Sequence, residues 1–228
     1  MNVVLLPGFL CDERLWSHQI EFLKDKFTLI PVNFTRCKDL EEMIHVVNEA
    51  SREKSHIVGF SMGGYIAQEF LGRYPEKVAS LFLLASAVGT LPEEEKKSRL
   101  EVESSLRKSH YKGMSEKIIT KFIHPDSLKK PEIPKLIHDM SATNTSDTYI
   151  NQMKATIDRR EFVEELNAFS GKIMIAGGED DRVIRKTELE SFHSQVPKSQ
   201  FKLFPHCGHY VPLEQPDLLN QLLLDFLS

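Results

Sequence analysis

Short apolar runs alternate with amphipathic segments along most of the chain. Six runs of four to six residues are rich in Val, Ile, Leu and Phe, and each predicts a buried strand of a parallel sheet. The runs are Val3–Leu6, Phe27–Val32, His56–Phe60, Leu81–Ala85, Ile173–Ala176 and Phe201–Phe204. Amphipathic helices are predicted at about 12–23, 39–53, 62–73, 185–195 and 216–227. Strands and helices that alternate in this way predict a doubly wound α/β sheet.

The alternation is interrupted once, from about residue 87 to residue 171. This stretch has no convincing strand pattern, and prolines divide it into short helices near 115–123, 132–141, 146–157 and 160–168. Thr90-Leu91-Pro92-Glu93 has the pattern of a capping box and predicts the start of a charged helix. We therefore expect residues 87–171 to form a helical lid inserted into an α/β core made of residues 1–86 and 172–228.

Composition excludes several classes of protein. The chain has 228 residues, of which 41% are apolar and 27% charged, so it is neither intrinsically disordered nor a disulfide scaffold. Its net charge is −4 and no long basic block occurs, so we expect no nucleic-acid partner. No apolar run approaches the ~18 residues of a membrane span, and the first residues lack the basic region of a signal peptide. Three cysteines without C-x-x-C spacing indicate reduced thiols in a cytoplasmic protein.

Gly59-Phe60-Ser61-Met62-Gly63 lies between the strand HIVGF and an amphipathic helix. G-x-S-x-G in this context is the nucleophile-elbow pattern, in which a tight turn lifts the serine hydroxyl above the sheet. Glycines are needed on both sides of the serine because side chains there would collide as strand and helix approach each other. A chance glycine-rich turn is the alternative reading of the same five residues.

A nucleophilic serine needs a general base and an acid that orients the base. An acidic loop with Glu179, Asp180 and Asp181 follows one predicted strand, and a loop with His206 and His209 follows the next. The carboxyl ends of parallel strands lie at one edge of the sheet, so both loops are expected near the serine. The two histidines also have the spacing of a metal-binding pair, but no further ligands complete a site. No phosphate-binding glycine motif follows a strand either, so we expect no metal and no cofactor.

These features together resemble the α/β-hydrolase superfamily over essentially the whole chain. The resemblance implies Ser61 as nucleophile, His209 as base and Asp181, rather than Asp180, as acid. It also implies an oxyanion hole formed by the backbone N–H groups of Phe9 and Met62. Two features depart from the superfamily pattern: Pro7-Gly8 replaces the usual His-Gly, and the usual leading hairpin is absent, which implies about six strands, all parallel.

The resemblance implies a serine hydrolase that cleaves a carboxylic ester of a small or medium-sized molecule through an acyl-enzyme. Thioesterases, enol-lactonases and C–C bond hydrolases use the same triad, and a small-molecule receptor or signalling protein that keeps the triad is an alternative of another class. The sequence leaves the oligomeric state and any role of Cys11 or Cys207 open. It also leaves open whether certain apolar lid residues face the substrate or only pack lid helices together: Ile118, Ile119, Phe122, Ile123, Met153 and Ile157.

Overall fold

One parallel sheet organises the molecule. The computed structural model describes residues 1–86 and 89–228. Within them the six strands are β1 (Asn2–Leu6), β2 (Thr28–Pro31), β3 (Ser55–Phe60), β4 (Val78–Leu84), β5 (Lys172–Gly178) and β6 (Gln200–Phe204). Their order across the sheet is β2-β1-β3-β4-β5-β6, and every neighbouring pair is parallel. The predicted six-stranded parallel sheet is confirmed.

Helices cover both faces of this sheet. Those next to the strands are α1 (Ser17–Leu23), α2 (Leu40–Ala50), α3 (Met62–Arg73), α10 (Lys186–Gln195), α11 (Val211–Glu214) and α12 (Pro216–Leu227). Along β1, Val3 and Leu5 pack into the core shared with α1 and α12, whereas Val4 and Leu6 pack into the core shared with α2 and α3. Successive side chains of a strand point to opposite faces, so a strand covered on both sides is apolar throughout. Each fully buried Val or Leu contributes roughly 1.5–3 kcal/mol of transfer free energy to folding.

A helical connection joins β4 to β5, and we use that name for residues 89–171. It contains α4 (Glu93–Leu106), α5 (Glu116–Phe122), α6 (Pro125–Leu128), α7 (Glu132–Ala142), α8 (Ser146–Ala155) and α9 (Val163–Ala168). The predicted lid boundary at residue 87 lies outside the described residues. Two short helices, α6 and α11, were not predicted; each has a proline in its first turn.

The predicted start of α4 is wrong in detail. Pro92 is the N-cap residue, with φ −58° and ψ 144°, and no side chain caps the helix. Three glutamates, at positions 93 to 95, fill the first turn instead. Their negative charge complements the positive end of the helix dipole, which replaces the hydrogen bond expected from Thr90.

The strand order reverses between β1 and β3, since the chain continues from β1 to β2 on one side and from β3 to β4 on the other. Open α/β sheets bind ligands at the carboxyl ends of the strands at such a switch point. The loop after β1 and the turn after β3 meet there. Among the described residues, none of the helices has the length and apolar composition that crossing a membrane requires.

Candidate active site

Ser61 occupies a strained turn between β3 and α3. Its backbone has φ 52° and ψ −114°, and its N–H donates a hydrogen bond to Leu84 O at 2.9 Å. A Cβ atom on Gly63 would lie 2.3 Å from Leu6 O, and one on Gly59 would lie 2.5 Å from Gly63 O. Only glycine permits these approaches, so the two glycines of the motif fix the turn that presents the serine.

The side chains of Ser61, His209 and Asp181 form one hydrogen-bonded chain. His209 Nε2 lies 3.0 Å from Ser61 Oγ, and His209 Nδ1 lies 2.7 Å from Asp181 Oδ2. The carboxylate keeps the imidazole proton on Nδ1, which leaves the Nε2 lone pair directed at the hydroxyl. Asp181 and His209 are both buried, at 5% and 3% exposure.

Backbone groups hold the Asp181 carboxylate in place. Its Oδ1 atom accepts hydrogen bonds from Val183 N–H at 2.7 Å and Ile184 N–H at 3.1 Å. These two bonds leave Oδ2 free for His209. Asp180, the other candidate acid, has a half-exposed side chain whose Oδ2 lies 3.7 Å from His124 Nε2, and no contact joins it to His209.

Residues 205–210 follow β6 and carry His209, and we call them the histidine loop. This loop is packed tightly against its neighbours. His209 N–H donates to Phe122 O at 2.6 Å, which ties the loop to the end of α5. A Cβ atom on Gly178 would lie 2.0 Å from Gly208 O. Residues 179–185 follow β5 and carry Asp181, and we call them the acid loop. The backbones at the start of the acid loop and in the histidine loop touch, so a side chain at Gly178 would push the two loops apart.

Glu214 is a buried carboxylate beneath this loop. Its Oε2 accepts hydrogen bonds from Gly208 N–H at 3.1 Å, His124 N–H at 2.7 Å and Ser127 Oγ at 2.9 Å, and Oε1 accepts one from Tyr210 N–H at 3.0 Å. Burial raises the pKa of Glu214, while the hydrogen bonds oppose the rise. The sequence gives no sign of the partners of this glutamate.

Two backbone N–H groups near Ser61 have no hydrogen-bond acceptor among the described residues: those of Phe9 and Met62. Met62 is the first residue of α3, where a helix leaves its N–H groups unpaired and positively polarised. Residues 7–12 follow β1, and we call them the first loop. This loop lies against the serine, since a Cβ atom on Gly8 would be 3.4 Å from Ser61 Cβ. The oxyanion hole of Phe9 and Met62 stays a prediction.

The helical connection holds the first loop. Leu10 N–H donates to Gln152 Oε1 at 2.8 Å, and Leu10 O accepts from Asn144 Nδ2 at 3.1 Å. Leu10 has φ 57°, in the left-handed region. The strained loop is therefore stabilised by two buried amides of α8 and its preceding turn.

A cavity of about 770 Å³ opens onto Ser61 and His209. This volume lies within the ~300–1,000 Å³ typical of small-molecule sites. Of the six apolar residues left open by the sequence, Ile118, Phe122 and Met153 line the cavity, whereas the other three do not. Further aromatic and sulfur-containing side chains also line it: Phe9, Met62, Tyr65, Tyr111, Met114, Tyr149 and Tyr210.

The cysteines lie outside the cavity lining. Cys11, Cys37 and Cys207 are buried free thiols. Burial raises the pKa of Cys11 to about 12, although a hydrogen bond with Tyr210 lowers it in part. Burial likewise raises the pKa of Cys207 and brings that of Cys37 to about 11.

His206 does not join His209. Among the described residues it forms a group with His124 and Asp126, whose potential ligand atoms lie within 4.8 Å of one another. His206 and Asp126 are exposed, and His124 Nδ1 already accepts a hydrogen bond from Asp126 N–H at 3.1 Å. The expectation that the chain holds no metal stays a prediction.

Comparison with known proteins identifies the class. The fold is that of the α/β hydrolases. The chain matches the family described as "Serine aminopeptidase, S33" over residues 31–216, and it belongs to this family.

Solved structures with similar folds include hydrolases of several kinds. A malate-bound thermophilic esterase from Thermogutta terrifontis superposes with a TM-score of 0.90 at 24% identity, over 100% of this chain and 89% of the other. The enol-lactonase from Burkholderia xenovorans LB400 superposes with a TM-score of 0.82 at 14% identity, over 99% and 90%.

Curated relatives are similarly distant. A 2-hydroxy-6-oxononadienedioate/2-hydroxy-6-oxononatrienedioate hydrolase of Paraburkholderia phymatum is 25% identical over 80% of this chain, and the chain spans 65% of its length. Monoacylglycerol lipase ABHD6 of Bos taurus is 22% identical over 100% of this chain, which spans 75% of that protein.

Proposed function

We propose that the protein is a serine hydrolase that cleaves a carboxylic ester of a small or medium-sized molecule through an acyl-enzyme. The observation that carries this proposal is the hydrogen-bonded chain in the cavity wall, with 3.0 Å between Ser61 Oγ and His209 Nε2 and 2.7 Å between His209 Nδ1 and Asp181 Oδ2. Hydrolases among the relatives and similar structures support the same reaction class.

In the first half-reaction, Ser61 Oγ attacks the ester carbonyl while His209 Nε2 takes the hydroxyl proton. Asp181 stabilises the imidazolium that forms. The N–H groups of Phe9 and Met62 bind the oxyanion of the tetrahedral intermediate. His209 then gives the proton to the leaving alcohol, and the acyl group stays on Ser61.

In the second half-reaction, water attacks the acyl-enzyme with His209 again acting as base, and the carboxylic acid leaves as Ser61 regains its proton. The helical connection serves as the lid, because side chains from α4, α5 and α8 line the cavity above the serine. An enclosed site excludes bulk water and strengthens the electrostatic interactions in it.

The test is hydrolysis of 4-nitrophenyl esters with acyl chains from acetyl to decanoyl. Ser61→Ala is expected to lower kcat by about a millionfold, leaving only the small residual rate that the oxyanion donors and substrate binding supply. Ser51→Ala is a matched control, because Ser51 is a buried serine outside the cavity lining. Retained activity in Ser61→Ala refutes the proposal, as does an acyl-enzyme that forms once without multiple turnover, which is the behaviour of a receptor.

C–C bond hydrolysis is a second candidate. It is favoured by the curated relatives, since one acts by its name on 2-hydroxy-6-oxononadienedioate. The protein is incubated with a 2-hydroxy-6-oxodienoate, and the loss of the dienoate's absorbance measures C–C bond cleavage. The rate is then compared with the rates of ester hydrolysis. Turnover of the dienoate at a kcat/KM above that of every ester identifies the C–C bond as the one cleaved.

A further inference from the structure

One cationic side chain in the cavity wall forms no hydrogen bond or ion pair with any residue that the structure describes. Arg159 lies between α8 and α9, is half-buried, and lines the cavity that contains Ser61. Its Nε atom is buried without a hydrogen-bond acceptor, and no ion pair joins Arg159 to any described residue. A guanidinium stays protonated at neutral pH, so this is a charge that the free protein leaves uncompensated.

The acidic groups near Arg159 are already paired with other residues. Glu95 Oε1 accepts a hydrogen bond from Arg99 Nη2 at 2.8 Å, and Glu188 Oε1 accepts one from Arg185 Nη2 at 2.8 Å. Glu161 also lines the cavity, but it is exposed and forms no ion pair with Arg159. Glu95 and Glu188 therefore each have another arginine as hydrogen-bond partner, and neither forms an ion pair with Arg159.

The remaining neighbours do not neutralise it. Tyr65 of α3 lines the same cavity as Arg159, and its hydroxyl donates to Glu69 Oε1 at 2.6 Å. Arg99 adds a second positive charge, and its Nη1 donates to Thr156 Oγ1 at 3.2 Å. Burial lowers the pKa of Arg159, and repulsion from Arg99 lowers it further, while attraction from Glu95 and Glu188 opposes the change only in part. The surroundings thus disfavour the charge, and an entering anion would compensate it.

Arg159 and Ser61 face the same cavity along α3. Tyr65 stands four residues after Ser61, which is about one helical turn or ~5–6 Å along the axis. Apolar side chains such as Met62 and Met153 line the same cavity. A ligand with its ester at Ser61 can therefore place a separate group at Arg159 across an apolar spacer.

We propose that Arg159 forms an anion-binding subsite and that the substrate carries a carboxylate separated by an apolar spacer from the bond that Ser61 attacks. This inference rests on the proposed serine hydrolase function. A guanidinium offers parallel N–H donors that match the two oxygens of a carboxylate.

The experiment compares pairs of esters in which one member carries a carboxylate where the other has a methyl group or a hydrogen. In one arm, the 4-nitrophenyl monoesters of adipic and suberic acid are compared with 4-nitrophenyl hexanoate and octanoate. In a second arm, the charge lies on the alcohol side, with the hexanoyl ester of a hydroxybenzoate compared with phenyl hexanoate. The readout is the ratio of kcat/KM for the charged ester to that for its neutral analogue.

The wild-type protein is expected to hydrolyse the charged ester at least as efficiently as the neutral one in one of the two arms. Arg159→Met is expected to lower the ratio about 10- to 100-fold, the usual effect of losing a hydrogen bond between charged groups. Arg159→Lys should retain part of it, because the charge stays and the bidentate geometry is lost.

Arg160→Met is the matched control. Arg160 is adjacent in sequence but lies outside the cavity lining, where it pairs with Glu165 at 2.5 Å and stacks on Phe162. Its ratio is expected to equal that of the wild type. Arg159→Met should also unfold at the same temperature as the wild type or higher, because it removes an uncompensated charge.

An unchanged ratio in Arg159→Met, or a wild-type ratio far below one in both arms, overturns the subsite. A large loss of thermal stability in Arg159→Met does so too, because it assigns the residue a structural role. If neither charged nor neutral esters are hydrolysed, the proposed function itself fails. Hydrolysis of neutral esters without any charge preference removes only the subsite.

Discussion

Glu214 and His209 are linked through the backbone: the Glu214 carboxylate accepts hydrogen bonds from the N–H groups of Gly208 and Tyr210, the residues on either side of His209. The same carboxylate binds His124 N–H, just after α5, and Ser127 Oγ in α6. One buried side chain therefore holds the histidine loop and the helical connection together.

We expect Glu214→Gln to impair both folding and turnover. An amide replaces one acceptor oxygen by an NH2 group, which faces donors it cannot bind. The expected cost is about 2–4 kcal/mol in the free energy of unfolding, and kcat should fall about 10- to 100-fold as His209 loses its position. Urea unfolding and ester hydrolysis measure the two effects.

Glu49→Gln is the control for this change. Glu49 is exposed and pairs with Arg52 at 3.5 Å, so its loss should change stability by less than about 1 kcal/mol. Wild-type values of stability and kcat in Glu214→Gln contradict the positioning role.

The two adjacent aspartates should behave differently. Asp181→Asn keeps the shape of the side chain but removes the carboxylate that holds the Nδ1 proton of His209, and we expect kcat to fall about 10⁴-fold. Asp180→Asn alters a half-exposed group outside the hydrogen-bonded chain and should change kcat by no more than about twofold. Steady-state kinetics with one ester measures both values of kcat. If Asp180→Asn lowers kcat more than Asp181→Asn does, Asp180 is the acid that orients His209.

Gly178→Ala should separate the acid loop from the histidine loop. The added methyl group would lie 2.0 Å from Gly208 O and 2.4 Å from Cys207 O, and backbone atoms cannot yield cheaply. We expect a loss of about 2–4 kcal/mol in stability together with reduced kcat. Thermal unfolding and ester hydrolysis report the two.

Gly72→Ala provides a glycine control within α3. Its added methyl group would lie 2.8 Å from the end of the flexible Arg160 side chain, which can move, and 3.4 Å from the Phe162 ring, which is an ordinary contact. Alanine favours the helix by up to about 1 kcal/mol over glycine, so this variant should be as stable as the wild type or more stable. Equal stability of the two alanine variants would show that the loops do not depend on their close contact.

We expect the three cysteines not to be alkylated in the folded protein. A pKa of about 12 for Cys11 leaves only roughly one thiolate in ten thousand at pH 8, because the ionised fraction falls tenfold for each pH unit below the pKa. Burial also shields Cys37 and Cys207. Mass spectrometry after iodoacetamide treatment should find no alkylation in native protein and three alkylated cysteines after denaturation. Rapid labelling of Cys207 in native protein would reveal an opening of the histidine loop.

Local pattern predicted the strands because a strand covered on both faces must be apolar at every position. The sequence also predicted the serine turn, because the close approach of strand and helix allows only glycine at positions 59 and 63. These features depend on neighbours in sequence or on a covering layer that every parallel sheet has.

The features that sequence did not reveal depend on distant partners. The four donors to Glu214 come from two segments far apart in the chain, 124–127 and 208–210. Arg159 looks like an ordinary polar loop residue until the cavity around it is known. Likewise, the sequence predicted α4 only as a charged helix. Glu95 and Arg99 of this helix line the cavity, and a charged pattern does not distinguish bulk solvent from a polar cavity wall.

Two helices that line the cavity, α5 and α4, differ in their contact with His209. This difference decides how substrate selectivity can evolve or be engineered. Phe122 at the end of α5 lines the cavity, and its ring lies 5.9 Å from the His209 ring, so we expect its substitution to alter substrate choice and rate together. By contrast, α4 has no buried residue, and its cavity-lining side chains include Ser98 and Val102. Libraries of variants confined to α4 can therefore retune which molecules are accepted while leaving the speed of the chemical step intact.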